Sequence, residues 1–253
     1  MRLLIAIPIY NELRYIQPVI SKIKRFHSDI LVIDDGSTDG SGELLEARDD
    51  VHLIQHPVNR GYGQSIIDAF AFAAEKGYDW VITMDCDEQH EPERIPDFIR
   101  EIETDRWDLI SGSRYMADFD GNSLPPQDRR AINQTITALL NEIFNLNLTD
   151  AFCGFKAHRT GAMQRLQLSQ TGYAFPMQLW PQVVAAGLRI TEMPVRLIYN
   201  DPNRTFGGVL DDAECRLKHY LSVLRKETAL VGLHDAARVV AQRLEAVPCD
   251  SVI

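Results

Sequence analysis

Asp85 and Asp87 are the residues of this chain best suited to chemistry. The apolar run WVITM delivers them, within DCDEQ, to the point where a strand leaves its sheet. Two carboxylates at i and i+2 in such a place suit a hard divalent cation. Magnesium or manganese (Mg2+ or Mn2+) keeps several water and phosphate ligands and takes only one or two carboxylates. Asp85 and Asp87, with Gln89 as an added oxygen donor, therefore suffice when a diphosphate is also bound. His90 is a further ligand candidate, although a histidine so placed more often donates to a ligand residue or to solvent.

Three other apolar runs end in polar clusters of the same kind. These are Tyr10-Asn11-Glu12 after LLIAIPI, Asp34-Asp35-Gly36-Ser37 after ILVI, and Ser113-Arg114 after LISG. In an open parallel sheet ligands sit beyond the carboxyl ends of the strands, so four such ends carrying five carboxylates describe one crevice. The stretch DDGSTDGSGELLE also approximates a calcium loop through Asp35, Ser37, Asp39, Gly40 and Glu46. That loop needs a helix in front of it, whereas DILVI reads as a strand. The better reading is a strand end followed by a helix start, with Ser37 or Thr38 as its cap. The Asp34-Asp35 pair then faces a ligand with hydrogen-bond donors, such as a nucleotide base or ribose.

The elements that must position these groups alternate through the first 115 or so residues, strand-length apolar runs taking turns with segments of helical period. Leu13, Ile16, Val19, Ile20 and Ile23 recur at three-to-four spacing, which predicts a helix between the first two strands. SIIDAFAFAAEKG predicts a longer buried helix closed by Gly77. A helix from about Glu93 to Glu103 precedes the strand DLISGSRY. Alternation then stops at the Pro-containing stretch ADFDGNSLPPQDRR, which reads as a loop over a site. Beyond it the pattern predicts helices from about Arg130 to Phe144 and Phe175 to Ala186, and an edge strand in RITEMPVRLIY. The fold class is α/β, a mainly parallel central sheet flanked by helices. Residues 1–210 form the catalytic domain and residues 211–253 a helical extension that packs on the body or on a partner.

Composition narrows the functions. Asp plus Glu number 36 against 26 Lys plus Arg, for a net charge of −10, so non-specific binding to nucleic acid is not expected. Cys86, Cys153, Cys215 and Cys249 show no C-x-x-C pair, which argues against a zinc module and a disulfide framework and fits a reducing cytoplasm. Pro8 inside the opening apolar stretch and the lack of a cleavage site point to a buried strand in place of a signal peptide. No run reaches the roughly 18 apolar residues of a membrane span, so the chain reads as soluble or peripheral at the inner face of the membrane.

Taken together, IPIYNE, VIDDGSTDGS, NRGYGQSI, MDCDEQHEPERIP, SGSRY and TDAFCGFKAHR resemble, in order, the family 2 inverting glycosyltransferases. The resemblance is closest to dolichol-phosphate mannose synthases and polyprenyl-phosphate glycosyltransferases, and it covers about residues 3 to 208. It implies a single-domain nucleotide-binding sheet sandwich of the GT-A type and a nucleoside-diphosphate-sugar donor, of GDP-mannose or UDP-glucose kind. Pro8, Tyr10, Glu12 and Asp35 would line the nucleotide pocket beside Cys86, Asp85, Asp87 and Gln89 would hold the metal, and Arg114 would contact phosphate or sugar. A polyprenyl phosphate is the acceptor this branch suggests; peripheral membrane contact and a homodimer are compatible with it.

The chemistry follows from the residues as well. Cleaving the bond to a diphosphate builds charge on the leaving oxygen, which a divalent cation with Arg114 or Arg204 stabilises. Attack from the opposite face inverts the anomeric centre. A hydroxyl acceptor needs a general base, for which Asp150 and, after it, Asp201 are candidates, whereas a phosphate acceptor is already ionised. Asp150 serves equally well as a cap for the turn after it. The chain departs from the family pattern twice: Gln178 stands where an acidic residue is expected, and Arg204-Thr205-Phe206-Gly207-Gly208 lacks the Ser and Lys of the usual closing loop. Arg129 and Arg130 are candidates to grip an acceptor phosphate. Trp107 and Trp180 can stack a sugar but suit the core better. The rival functions are a D-x-D phosphatase with Asp85 as nucleophile and a non-catalytic nucleotide-sugar-binding protein.

Overall fold

Strand β1 (Leu3–Ile9) is buried along nearly its whole length because both of its faces are covered. Side chains alternate across a strand. Leu4 and Ala6 therefore join one apolar cluster with Leu31, Ile33 and Val81, while Leu3, Ile5 and Ile7 join another with Ile30, Val32 and Ile82. In the computed structural model, which describes residues 1–199 and 207–248, the chain continues through α1 (Leu13–Ile23), β2 (Ile30–Asp34), α2 (Ser41–Glu46), β3 (His52–Gln55), α3 (Tyr62–Lys76) and β4 (Trp80–Thr83). Then come α4 (Ile95–Glu103), β5 (Leu109–Ser113), α5 (Gln127–Phe144), β6 (Lys156–Arg159), α6 (Thr160–Met163), α7 (Phe175–Ala185), β7 (Ile190–Pro194), α8 (Ala213–Leu230) and α9 (His234–Glu245).

The seven strands form one sheet in the order β3-β2-β1-β4-β6-β5-β7. The β3, β2, β1 and β4 strands run parallel, as do β5 and β7, and β6 runs antiparallel between β4 and β5. The expected α/β class, mainly parallel sheet and edge strand at β7 are all present. The insertion of β6 has no counterpart in the sequence pattern, since four residues, KAHR, carry no periodicity of their own. Helix α3 begins three residues before the expected SIIDAF run, the glycine at position 63 having masked its first turn.

Helices α1 and α4 pack on one face, each through one apolar stripe: Ile16, Val19, Ile20 and Ile23, and Ile95, Phe98 and Ile102. Helices α3, α5 and α7 cover the other face. The C-terminal pair packs there as well, with α8 against α7 and α5, and Tyr220, Leu221, Leu224 and Val240 belong to the same core. No helix among the described residues is long and apolar enough to cross a membrane. Cys86 and Cys153 are buried free thiols.

Candidate active site

The strand ends do converge. A cleft of about 660 Å³ opens over the carboxyl edge of β1, β2 and β4, and its walls include Pro8, Tyr10, Glu12, Asp35, Asp85, Cys86, Asp87, Gln89 and Arg114. The turn after β1 is stapled to the turn after β2. Asn11, in the left-handed region at φ 57°, donates its N–H to Ser37 Oγ at 2.9 Å and accepts Thr38 N–H at 2.8 Å, while Asp39 accepts Leu13 N–H at 3.0 Å. Ser37 and Thr38 are thereby used between loops, and neither caps α2. The N-cap position is Gly40, and Asp39 just before it accepts the Ser41 N–H at 3.0 Å.

Only one member of the Asp34-Asp35 pair faces the cleft. Asp34 is buried and accepts Ser37 N–H at 3.0 Å, closing its own turn. Asp35 accepts Arg60 N–H and Gly61 N–H, each at 2.8 Å, and its Oδ1 lies 2.6 Å from His56 Nδ1. His56 Nε2 is in turn 2.8 Å from Asp68. Asp35 thus ties the NRGYG segment to the end of β2, which brings Asn59, Gly61 and Tyr62 to the cleft wall.

Asp85 is the open carboxylate. Its side chain is about a third exposed, 32%. Its oxygens accept no hydrogen bond from the described residues, and His90 Nε2 approaches no nearer than 3.7 Å. His90 instead accepts Asp85 N–H through Nδ1 at 2.9 Å, which leaves the proton of the neutral ring on Nε2. Burial lowers its pKa further in favour of that neutral form. His90 therefore orients the backbone at Asp85. Asp87 is buried and accepts Gln89 N–H at 3.0 Å, so DCDEQ is a tight turn with one carboxylate presented and one partly engaged. No cluster of three or more His, Cys, Asp or Glu side chains among the described residues makes a self-sufficient metal cage. An oxygen set of two carboxylates and the Gln89 amide fits a hard cation that takes its remaining ligands from phosphate and water. Gly154 packs against the same carboxylate: a Cβ there would stand 3.0 Å from Tyr62 Oη and 3.1 Å from both Asp85 oxygens, so a larger residue would press on Asp85.

Arg114 is held from behind. Asp150, at 0% exposure, accepts Arg114 Nε at 2.6 Å and Nη2 at 2.9 Å, the backbone N–H of Arg114 at 3.2 Å, Asn133 Nδ2 at 2.8 Å and Phe152 N–H at 3.1 Å. Burial would raise the Asp150 pKa, but the Arg114 charge and these hydrogen bonds hold it well below the usual carboxylate range. The same pair keeps Arg114 protonated against the opposing effect of burial. A carboxylate with every lone pair engaged and no opening to the cleft cannot take a proton from an acceptor. The base expected at Asp150 is corrected to a positioning role, fixing Arg114 at the cleft wall. Arg204 and Asp201 lie outside the described residues.

Beyond Asp85 the cleft runs inward between α3, α5, α7 and α8. Ile132, Phe152, Phe175, Leu179 and Tyr220 give it an apolar wall, and Arg129 and Arg216 also reach it. Its floor includes Lys156, which bonds Ser111 and lies 5.0 Å over the Trp180 ring, and His158, which burial and the Lys156 charge push down to about 3. Trp180 itself is core, with Nε1 donating to Ala151 O at 3.0 Å. Sequence reasoning missed Tyr62, Asn133, Gly154, Lys156, His158 and Tyr220. Nothing in the local pattern marks Lys156 and His158, since β6, KAHR, is short and mostly polar.

A family model described as Glycosyl transferase family 2 matches residues 4–166. An undecaprenyl-phosphate mannosyltransferase of Micrococcus luteus is 29% identical over 226 residues, spanning 84% of this chain and 91% of that protein. A polyprenol monophosphomannose synthase of Mycolicibacterium smegmatis is 27% identical over 204 residues, 77% of this chain and 76% of the relative. Among solved structures, glucosyl-3-phosphoglycerate synthase of Mycobacterium tuberculosis, in complex with Mn2+, uridine diphosphate and glucosyl-3-phosphoglycerate, superposes with a TM-score of 0.66 over 90% of this chain and 80% of that one, at 17% identity. This likeness shows the GT-A-type fold.

Proposed function

Because the chain belongs to glycosyl transferase family 2, we propose that it moves a hexose from a nucleoside-diphosphate sugar to a polyprenyl phosphate, with inversion and with a divalent cation. The phosphatase alternative finds no support, since both the family match and the named relatives are glycosyltransferases.

The observation that carries the acceptor class is the state of Asp150. With that carboxylate wholly engaged by Arg114 and its neighbours, the described residues supply no free base on the acceptor side. A phosphate monoester needs none, being ionised already. The apolar wall of Ile132, Phe152, Phe175, Leu179 and Tyr220 is suited to an acceptor whose phosphate carries a hydrocarbon chain. The names of the relatives, undecaprenyl-phosphate mannosyltransferase and polyprenol monophosphomannose synthase, point the same way.

On the donor side, Pro8, Tyr10, Glu12 and Asp35 border the space for base and ribose. Asp85 and Asp87, with Gln89, would hold Mg2+ or Mn2+, which when bound offsets the charge of the diphosphate as it departs. Arg114, fixed by Asp150, supplies permanent positive charge to the same leaving group. The acceptor oxygen attacks the anomeric carbon from the face opposite the diphosphate, so the configuration inverts.

Calorimetry with GDP, UDP and their mannosyl and glucosyl conjugates, in Mn2+ and in chelator, tests the donor half. Binding should require the metal and be lost in Asp85→Ala and Asp87→Ala. Transfer to a short-chain polyprenyl phosphate, followed by anomeric analysis of the product, tests the acceptor half. A product of retained configuration, or binding indifferent to both metal and Asp85, would overturn the proposal.

A further inference from the structure

Glu227 is a buried carboxylate on α8, beyond the residues the family match covers, and the reaction above does not use it. It accepts Gln178 Nε2 at 2.9 Å on one oxygen and Gln182 Nε2 at 2.7 Å on the other. A carboxylate only accepts, so it decides which end of each amide turns away from it. The amide oxygens are left facing the segment that precedes α7. Gln178 Oε1 accepts the N–H groups of Ser169 and Gln170, both at 2.7 Å, and Gln182 Oε1 accepts Gln167 N–H at 2.6 Å. Both amide nitrogens are filled as well, by Ser169 Oγ at 3.2 Å and Gln167 O at 2.8 Å.

The segment so held is a wall of the cleft. Gly172 and Tyr173 line it, and Tyr173 stacks on Tyr62 with ring centroids 6.3 Å apart. Tyr173 stands among the donor-side acids: burial, and then the charges of Asp85, Asp35 and Glu12, push up its phenol. The contact with the start of α3 leaves no slack. Gln64 donates its N–H to Thr171 O at 3.1 Å, and a Cβ on Gly63 would lie 2.1 Å from Gln170 O.

We propose that Glu227 is a positioning residue for the donor site: by fixing the orientation of the Gln178 and Gln182 amides it holds residues 167–173 against α3 and so sets the affinity for the donor's nucleoside diphosphate. This rests on the transferase reading. It also accounts for Gln178, which stands where the resemblance leads one to expect an acid: the carboxylate is delivered to that place from α8.

Glu227→Gln tests it without changing shape. An amide at position 227 offers one oxygen and one NH2, so one of the two glutamines must meet another NH2 or turn its oxygen away from the segment. The double variant Gln178→Glu with Glu227→Gln restores a complete set. The carboxylate then at position 178 can accept from Ser169, Gln170 and the amide at position 227, and the oxygen of that amide can accept from Gln182. In Glu227→Gln, hydrogen exchange at the amides of 167–170 should accelerate about tenfold, and Kd for GDP or UDP with Mn2+ should rise about tenfold, with the exchange of β1 and β4 unchanged. The double variant should return both to within about threefold of the original protein. Unchanged exchange, a loosened segment with unchanged affinity, or no recovery in the double variant overturns the inference. Failure of the unsubstituted protein to bind either nucleotide overturns the transferase reading and the affinity claim with it, whereas normal binding that Glu227→Gln leaves intact overturns this inference alone.

Discussion

Replacing Asp150, buried behind Arg114, with asparagine should cost more than any single polar change among the residues that line the cleft. Asp150 is fully buried, and the Arg114 side chain it pairs with is 22% exposed. Two parallel bonds of 2.6 and 2.9 Å join them, and three further donors converge on the same carboxylate. Asparagine keeps the shape but turns an NH2 toward donors on one side and leaves the guanidinium charge without its partner. Breaking a buried pair by removing one member costs about 3–5 kcal/mol. Urea denaturation at pH 7 should show a loss of that size with an unchanged m-value. The pH profile adds a check of sign. The folded-state pKa of Asp150 is depressed, so its contribution is whole above the unfolded value near 3.9 and fades as pH falls through the lower, folded value. The gap between the two proteins should therefore stay level from about pH 8 to pH 5 and close only in strong acid. In the transfer assay, a loosened Arg114 should lower kcat/KM about 10²-fold or more. A stability loss below about 1 kcal/mol together with kcat/KM within about threefold would refute the assignment of Asp150 to holding Arg114.

Gly154→Ala should lower the Mn2+-dependent affinity for UDP or GDP about tenfold while leaving the melting temperature nearly unchanged, because the added methyl displaces the Asp85 carboxylate and Tyr62 Oη and little else. Calorimetry showing intact metal-dependent binding would contradict that account. His158 takes up a proton only near pH 3 in the folded protein but near 6.5 when unfolded, so its contribution is full above pH 6.5 and declines as pH falls toward 3. His158→Leu should therefore flatten the acid limb of stability against pH by about 1.4 kcal/mol per unit between pH 6 and 4, read by urea titrations at several pH values. Arg216→Met removes bonds to Leu210 O at 2.7 Å and Asp128 at 2.5 Å, and should raise hydrogen exchange at the start of α8 with little effect on the exchange of β1.

Much of the donor side is written along the chain. The alternation of apolar runs and helical stripes predicts a parallel sheet, and the carboxyl ends of such strands lie on one edge by geometry alone. Tyr10, Glu12, Asp35, Asp85, Asp87 and Arg114 thus fall on one crevice by strand geometry, and their motifs are those of glycosyl transferase family 2. Local pattern fails where a residue's role depends on a partner far along the chain. Asp150 looks like a base or a cap in its own segment, and becomes the holder of Arg114, 36 positions away, only when α5 and the turn before β6 are packed behind β5. Ser37 and Thr38 fit a helix cap locally, yet the turn after β1 claims them.

What the sequence by itself determined is the α/β alternation, the four polar strand ends and the family, because side-chain period and strand-end chemistry are properties of neighbouring residues. What only the tertiary structure decided is the order of the sheet. The insertion of β6 antiparallel between β4 and β5 sets Gly154 against Asp85 and puts Lys156 and His158 in the cleft floor, and the return of α8 sets Glu227 between two glutamines of α7. Those contacts come from the burial of whole faces against one another, a free energy summed over the assembled core that no short stretch of residues carries alone.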